Sequence, residues 1–264
     1  MRVVSLACSN TEIVHALGCG SMLVGVDDHS DWPEALVAPL PRVGPDLDID
    51  VARVAALEPD LVLATLTVPG HERVVARLEE AGLPFVAPEP VSVADVYRDV
   101  RHIAGLLGVP ERGEALVAEM TRELGDGRVP EPGPAAPSVL IQWWPRPVIA
   151  PGRRSWAHEV LALAGGRNPL GGEAVKSRPL ETREVVEMAP DAIVLSWCGV
   201  HPDKYRPDVV LGNPDFAAVP AVRRGQVHCV GEPFLGRPGP RLVEGVRALR
   251  AVVAACVADP PPAA

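Results

Sequence analysis

Two stretches of this chain nearly repeat each other, and any fold it adopts must accommodate both. Val54 to Ala64 reads Val-Ala-Ala-Leu-Glu-Pro-Asp-Leu-Val-Leu-Ala, and Val185 to Leu195 reads Val-Val-Glu-Met-Ala-Pro-Asp-Ala-Ile-Val-Leu. Each is a short helical stretch, a Pro-Asp stop and an apolar run of buried-strand character. The openings of the two halves also correspond. Val3-Val4-Ser5-Leu6 leads to an apolar stretch ending at Gly18, and Val139-Leu140-Ile141 leads to one ending at Gly165. Two similar α/β lobes imply a cleft between them, and clefts are where small ligands bind.

The first lobe, residues 1–90, alternates strand and helix, which predicts a mostly parallel sheet with flanking helices. Ser9 and Asn10, followed by Glu12, read as a cap at the start of its first helix. Between residues 91 and 126 the strands stop. Val93, Val96, Val100, Ile103, Leu106 and Leu107 recur at helical spacing, and a second helical piece follows Pro110. This segment is long enough to bridge the lobes. A Pro/Gly-rich connector from Gly127 opens the second lobe, residues 127–264, whose Pro-rich tail from Asp259 is expected to fray.

A net charge of −9 with scattered arginines argues against nucleic acid as a partner. No apolar run approaches the length of a membrane span, so the protein is not expected to be membrane-embedded. The chain opens directly into a strand with no leader pattern, and its five cysteines are odd in number and irregularly spaced. Both features favour the cytoplasm; a trimmed leader would place the protein in the periplasm or at the cell surface. A monomer is expected.

In open α/β sheets, ligands sit beyond the carboxyl ends of the strands. The residues delivered there are Cys8, Ser9 and Asn10, then Asp28, His29 and Trp32, then Thr65. In the second half they are Trp143, Trp144 and Arg146, then Trp197 and Cys198, then Phe234. Five of the ten aromatic residues are tryptophan, and four of those five fall at strand ends, where they could wall a flat ligand. Arg146, Arg153 and Arg178 could pair with a carboxylate- or catecholate-bearing ligand. No nucleophile elbow, phosphate loop or paired metal motif appears, and no resident cofactor is expected. Cys198-Gly-Val-His201, with Cys8 and His29, is the one set that could serve a metal-handling protein or an enzyme.

Arg2 to Asp28, with Leu57 to Val62, resembles the class III substrate-binding proteins of ABC importers. The closing segments Ala221 to Val227 and Arg237 to Val243 resemble that family too. The resemblance implies two α/β lobes joined by a single long bridging helix, no catalysis, and a ligand held between the lobes. The corrinoid (vitamin B12) type is the first expectation for that ligand, with a siderophore or heme as the alternative. It further implies an ABC permease as partner, docked through Glu72 on one lobe and Glu184 on the other. Arg178 falls at or near an aromatic of the corrinoid pocket. Cys8 replaces a proline usual in the family, and Thr65 stands where the corrinoid type has an aromatic.

Overall fold

The two Pro-Asp segments do the same structural job in the computed structural model, which describes residues 1–258; the tail expected to fray, 259–264, lies outside them. Glu58 (φ 47°) and Ala189 (φ 44°) each adopt a left-handed conformation just before the proline. That conformation ends the preceding helix, and the proline keeps it ended. The aspartate then grips the residue that enters its lobe's first strand. Asp60 donates its N–H to Arg2 O at 2.8 Å and accepts the Arg2 N–H on Oδ2 at 2.6 Å. Asp191 donates to Ser138 O at 2.7 Å and accepts the Ser138 N–H on Oδ2 at 2.8 Å. Each aspartate thus closes a two-point latch at the amino ends of two adjacent strands.

In the first lobe the chain runs through β1 (Val3–Ser5), α1 (Cys8–Ala16), β2 (Leu23–Val26), α2 (Glu34–Val37), α3 (Val51–Ala56), β3 (Leu61–Leu63), α4 (His71–Glu80) and β4 (Phe85–Val86). The strands form one parallel sheet in the order β2-β1-β3-β4. The core packs Val4, Leu6, Val54, Val62 and Leu78, all fully or nearly fully buried. Helix α1 begins one turn earlier than expected. Its N-cap is Ala7, with no side-chain cap, and Ser9 and Asn10 lie buried inside it. The Asn10 amide instead donates to Leu63 O at 3.2 Å and Ala64 O at 2.8 Å, holding the carboxyl end of β3.

The single long bridging helix expected from the resemblance is two helices, α5 (Val93–Leu106) and α6 (Pro110–Leu124). Gly108, at φ 75°, turns the chain, and Val109 N–H returns to Ala104 O at 2.9 Å. Pro110 then starts α6, at the position where a missing N–H costs nothing. Most of both helices, Ala94–Met120, belongs to the same compact unit as residues 1–90; Val91–Val93 and the chain from Thr121 onward form the other unit.

The second unit contains β5 (Val139–Gln142), β6 (Trp144–Pro145), β7 (Val148–Pro151), α7 (Trp156–Leu163), β8 (Ser177–Leu180), α8 (Thr182–Met188), β9 (Ala192–Leu195), α9 (Asp208–Leu211), α10 (Pro220–Arg223), β10 (Val227–Cys229), α11 (Glu232–Leu235) and α12 (Leu242–Ala258). Its parallel sheet has the order β10-β9-β5. A separate antiparallel sheet, β6-β7-β8, was not foreseen. It arises because only Arg146 and Pro147 separate β6 from β7, and so short a connection can join only antiparallel strands. Helix α12 lies close against α11: a Cβ on Gly245 would sit 2.1 Å from Phe234 O.

The latches differ in burial, which gives a graded expectation. Ser138 is 2% exposed, whereas the Asp60 side chain is 58% exposed. Asp191→Ala should therefore lower stability by about 1.5–3 kcal/mol, because it strands a buried N–H and a charged acceptor is lost. Asp60→Ala should cost clearly less. Urea denaturation of the two variants, with equal losses or the reverse order, would contradict this account.

Candidate functional site

Parallel pairing brings the carboxyl ends of β1, β2 and β3 to one edge of the first sheet, and with them Cys8, Asp28, His29 and Thr65. Beneath this edge Asp27 is fully buried. Its Oδ1 is 2.5 Å from Ser30 Oγ, and its Oδ2 accepts the His29 N–H at 3.0 Å and faces Cys8 Sγ at 4.0 Å. Burial pushes the Asp27 carboxyl up, with Ser30 and the His29 amide partly opposing. Asp28 and His29 are exposed. The indole of Trp32, 38% exposed, meets His15 edge-on at 5.0 Å. Thr65 is buried and its hydroxyl lies 3.3 Å from Pro88 O.

Asp46 lies between His29 Nε2, 3.7 Å away, and His71 Nε2, 3.6 Å away. These are electrostatic contacts rather than full hydrogen bonds. His71 holds the Asp46 carboxyl below its ordinary value; burial opposes this shift and the His29 ring assists it. His71 Nδ1 accepts the Val68 N–H at 3.2 Å, so the ring proton sits on Nε2, facing Asp46. A nitrogen carrying that proton is not a metal ligand. Among the described residues no group of three or more His, Cys, Asp or Glu side chains is arranged to hold a metal ion. The set Cys8, His29, Cys198 and His201 is therefore not assembled as one. A carboxyl beside Cys8 is also the opposite of the cationic setting that makes a thiol reactive.

In the second unit, Trp144 is 41% exposed on β6 and Arg146 follows it, also exposed. Trp143 is half-buried against Trp156, ring centroids 6.0 Å apart. Phe234 is half-buried beneath the Arg241 guanidinium, 4.8 Å from its ring. Cys198 and His201 are exposed. Trp197 is not a ligand wall: it is 6% exposed, its Nε1 donates to Gln142 Oε1 at 3.0 Å, and its ring packs on Tyr205 at 5.4 Å. A tryptophan this enclosed belongs to the core. Tyr205 was missed in the sequence. Its hydroxyl donates to Trp197 O at 3.2 Å and accepts the Glu232 N–H at 3.0 Å, and burial pushes its phenol up. It lies well past the end of β9, behind a short turn at Pro202–Lys204, so no strand-end signal could have found it.

Arg178 is not free for a ligand either. Its guanidinium grips Glu173 at 2.6 and 2.7 Å and Glu184 at 2.8 Å. Glu184 also accepts the Glu181 N–H at 2.7 Å, completing the capping box of α8. Glu72 is exposed and accepts the Gly70 N–H at 2.8 Å. A cavity of about 420 Å³ at the β4 edge, against α5, is lined by Val86 to Glu89 and by Arg98, Asp99 and His102, and holds none of the expected residues.

A family profile described as periplasmic binding protein matches residues 3–232. The chain belongs to that family. A vitamin B12-binding protein of Pectobacterium carotovorum is 28% identical over 244 residues, covering 92% of this chain and 84% of the relative. The periplasmic heme-binding protein RhuT from Roseiflexus sp. RS-1, in apo form, superposes with a TM-score of 0.80 at 27% identity, covering 97% of this chain and 98% of that one. A periplasmic heme-binding protein from Pseudomonas aeruginosa gives 0.78 at 29%, covering 96% and 92%. The protein is thus a substrate-binding protein of the ABC-importer type, with the two-lobed α/β fold and bridging helices of that family, and it is not an enzyme. Among the described residues no helix is long and apolar enough to cross a membrane.

The cytoplasmic placement expected from the cysteines and the opening residues is corrected by these relatives, which are periplasmic proteins. The cysteine count misled because it says nothing of exposure. Cys19 and Cys256 are buried, where packing shields a thiol from oxidation, while Cys198 and Cys229 are exposed, so the number alone sets no compartment.

Arg178 holds the carboxyls of both Glu173 and Glu184 below their ordinary values. Depressed carboxylates add stability above the unfolded-state value and lose it as pH falls through the folded one. Arg178→Met should raise both midpoints toward ordinary glutamate and remove that acid-side loss. Carboxyl-carbon NMR titration reads this directly; unchanged midpoints would show that the pairing is absent in solution.

Proposed function

We propose that this substrate-binding protein serves an importer of heme or a closely related carboxylate-bearing tetrapyrrole. The observation that supports this most is the exposed pair Trp144 and Arg146 on the β6–β7 hairpin. A tryptophan face suits a planar macrocycle, and a guanidinium suits its propionates. Arg153 and Arg154, just beyond β7, are exposed as well. The heme-binding relatives, at 27% and 29% identity, support the same ligand class. The corrinoid expected first has vitamin B12-binding relatives of comparable identity behind it, at 24–28%. A corrinoid whose periphery is amide rather than carboxylate would, however, leave these arginines without a counter-charge.

The ligand-facing set on this reading is Cys8, Asp28, His29, Trp32, Thr65, Trp143, Trp144, Arg146, Cys198 and Phe234. Glu72 is the exposed docking carboxylate for a permease, with Glu184 its counterpart. Because Arg178 already pairs with Glu184, a permease arginine must share or displace it.

Purified protein should bind hemin, followed by its absorbance band and by tryptophan quenching, and bind cyanocobalamin more weakly. Trp144→Ala should weaken hemin binding by roughly 1–3 kcal/mol, and Arg146→Ala should weaken hemin more than a porphyrin lacking carboxylates. Binding of cyanocobalamin without hemin would reverse the choice.

A further inference from the structure

We propose that Asp27 is held in the folded lobe as a neutral carboxylic acid and, in that state, positions Cys8 and His29 at the carboxyl edge of the first sheet. The positioning role rests on reading that edge as ligand-facing; the protonation state does not.

The argument is a count of protons. Four contacts run in a chain through the lobe: Asp27 Oδ1 to Ser30 Oγ at 2.5 Å, Ser30 Oγ to Thr11 Oγ1 at 2.8 Å, Thr11 Oγ1 to Ser5 Oγ at 2.8 Å, and Ser5 Oγ to Ala7 O at 3.1 Å. Each contact needs one proton. Three hydroxyls supply three, and the chain ends on a carbonyl that supplies none. The fourth proton is that of the carboxyl. With it in place the chain runs one way, Asp27 to Ser30 to Thr11 to Ser5 to Ala7 O, and every contact is a hydrogen bond. Oδ2 then acts as the carbonyl oxygen, accepting the His29 N–H and the Cys8 thiol.

Removing the proton reverses the first link and breaks another. Ser30 must then donate to Asp27, three protons serve four contacts, and one contact further along, between two hydroxyls or to Ala7 O, is left without a proton. The charge so created would sit on a fully buried side chain with no guanidinium bonded to it. Arg42, the nearest candidate, spends its Nη1 on two backbone carbonyls, Asp27 O at 2.9 Å and Ser30 O at 2.6 Å. The other groups around Asp27 do not change this balance. Cys8 on α1 offers its thiol, and the Asp28 carboxylate turns to Gly44 N. In the 42–50 segment the Asp46 carboxylate repels a second anion, while the His29 imidazole is the one favourable charge. Burial is the largest influence and it favours the acid.

Carboxyl-carbon NMR titration of the ligand-free, unmutated protein tests the protonation state. Asp27 should titrate above the ordinary aspartate range; a midpoint at or below it overturns the proposal. The infrared carbonyl stretch of a protonated carboxylic acid should be present where ordinary carboxyls are ionised and be lost in Asp27→Asn. Because the folded midpoint is raised, stability should fall as pH climbs from the unfolded value toward the folded one. Asp27→Asn, whose amide donates to Ser30 and accepts from His29, should lack this fall; an identical pH profile in both proteins counts against the idea. For positioning, the His29 amide should exchange with solvent about tenfold faster in Asp27→Ala than in the wild type, and Asp27→Asn should restore slow exchange. Equal exchange in all three proteins would remove the positioning role, and none of these readings depends on which ligand the protein carries.

Discussion

The structure depends first on the latch that each Pro-Asp segment closes. Strand β1 has three residues and β5 has four, too few for ladder bonds alone to fix register against their neighbours. In both lobes the aspartate grips the entering residue through its backbone and its carboxylate together. This sets where β3 meets β1 and where β9 meets β5, and so which side chains reach the far end of each sheet. Both faces of these strands are buried, so a one-residue slip would exchange the side chains of two packed faces and misfit both. The left-handed residue ahead of the proline strains the chain by roughly 1–2 kcal/mol, and it occurs at both sites, so the latch is worth at least that.

Much of this was legible in the sequence because it follows from period and punctuation. The Pro-Asp repeats mark helix end and strand start, and the apolar runs mark buried strands, so the lobes and most elements follow. What stayed hidden depends on contacts between distant residues. Ser9 and Asn10 look like caps, yet Asn10 is more useful bonded to β3, which lies more than fifty positions away. Trp197 and Trp144 look alike as residues at strand ends. Gln142 and Tyr205, which decide that Trp197 is core, lie 55 and 8 positions from it. Nothing local distinguishes the two tryptophans.

Charges were the least legible feature. Arg178 reads as an available guanidinium until Glu173 and Glu184 are found on it. The Asp27-Asp28 pair reads as two equivalent acids, though one is fully buried and the other exposed. Burial decides what an ionisable group can do, and adjacent residues on an irregular loop need share nothing in that respect. The compartment was misjudged for a related reason, since a cysteine count carries no information about exposure.

The latches also separate two kinds of inheritance. They sit where the strands begin, whereas the candidate ligand-facing side chains sit where the strands finish. Residues at the finishing ends can therefore change what is bound while the beginnings continue to specify the same scaffold. Such a protein is free to drift in diet without drifting in shape. The Pro-Asp pair is then a mark of architecture and a poor guide to cargo.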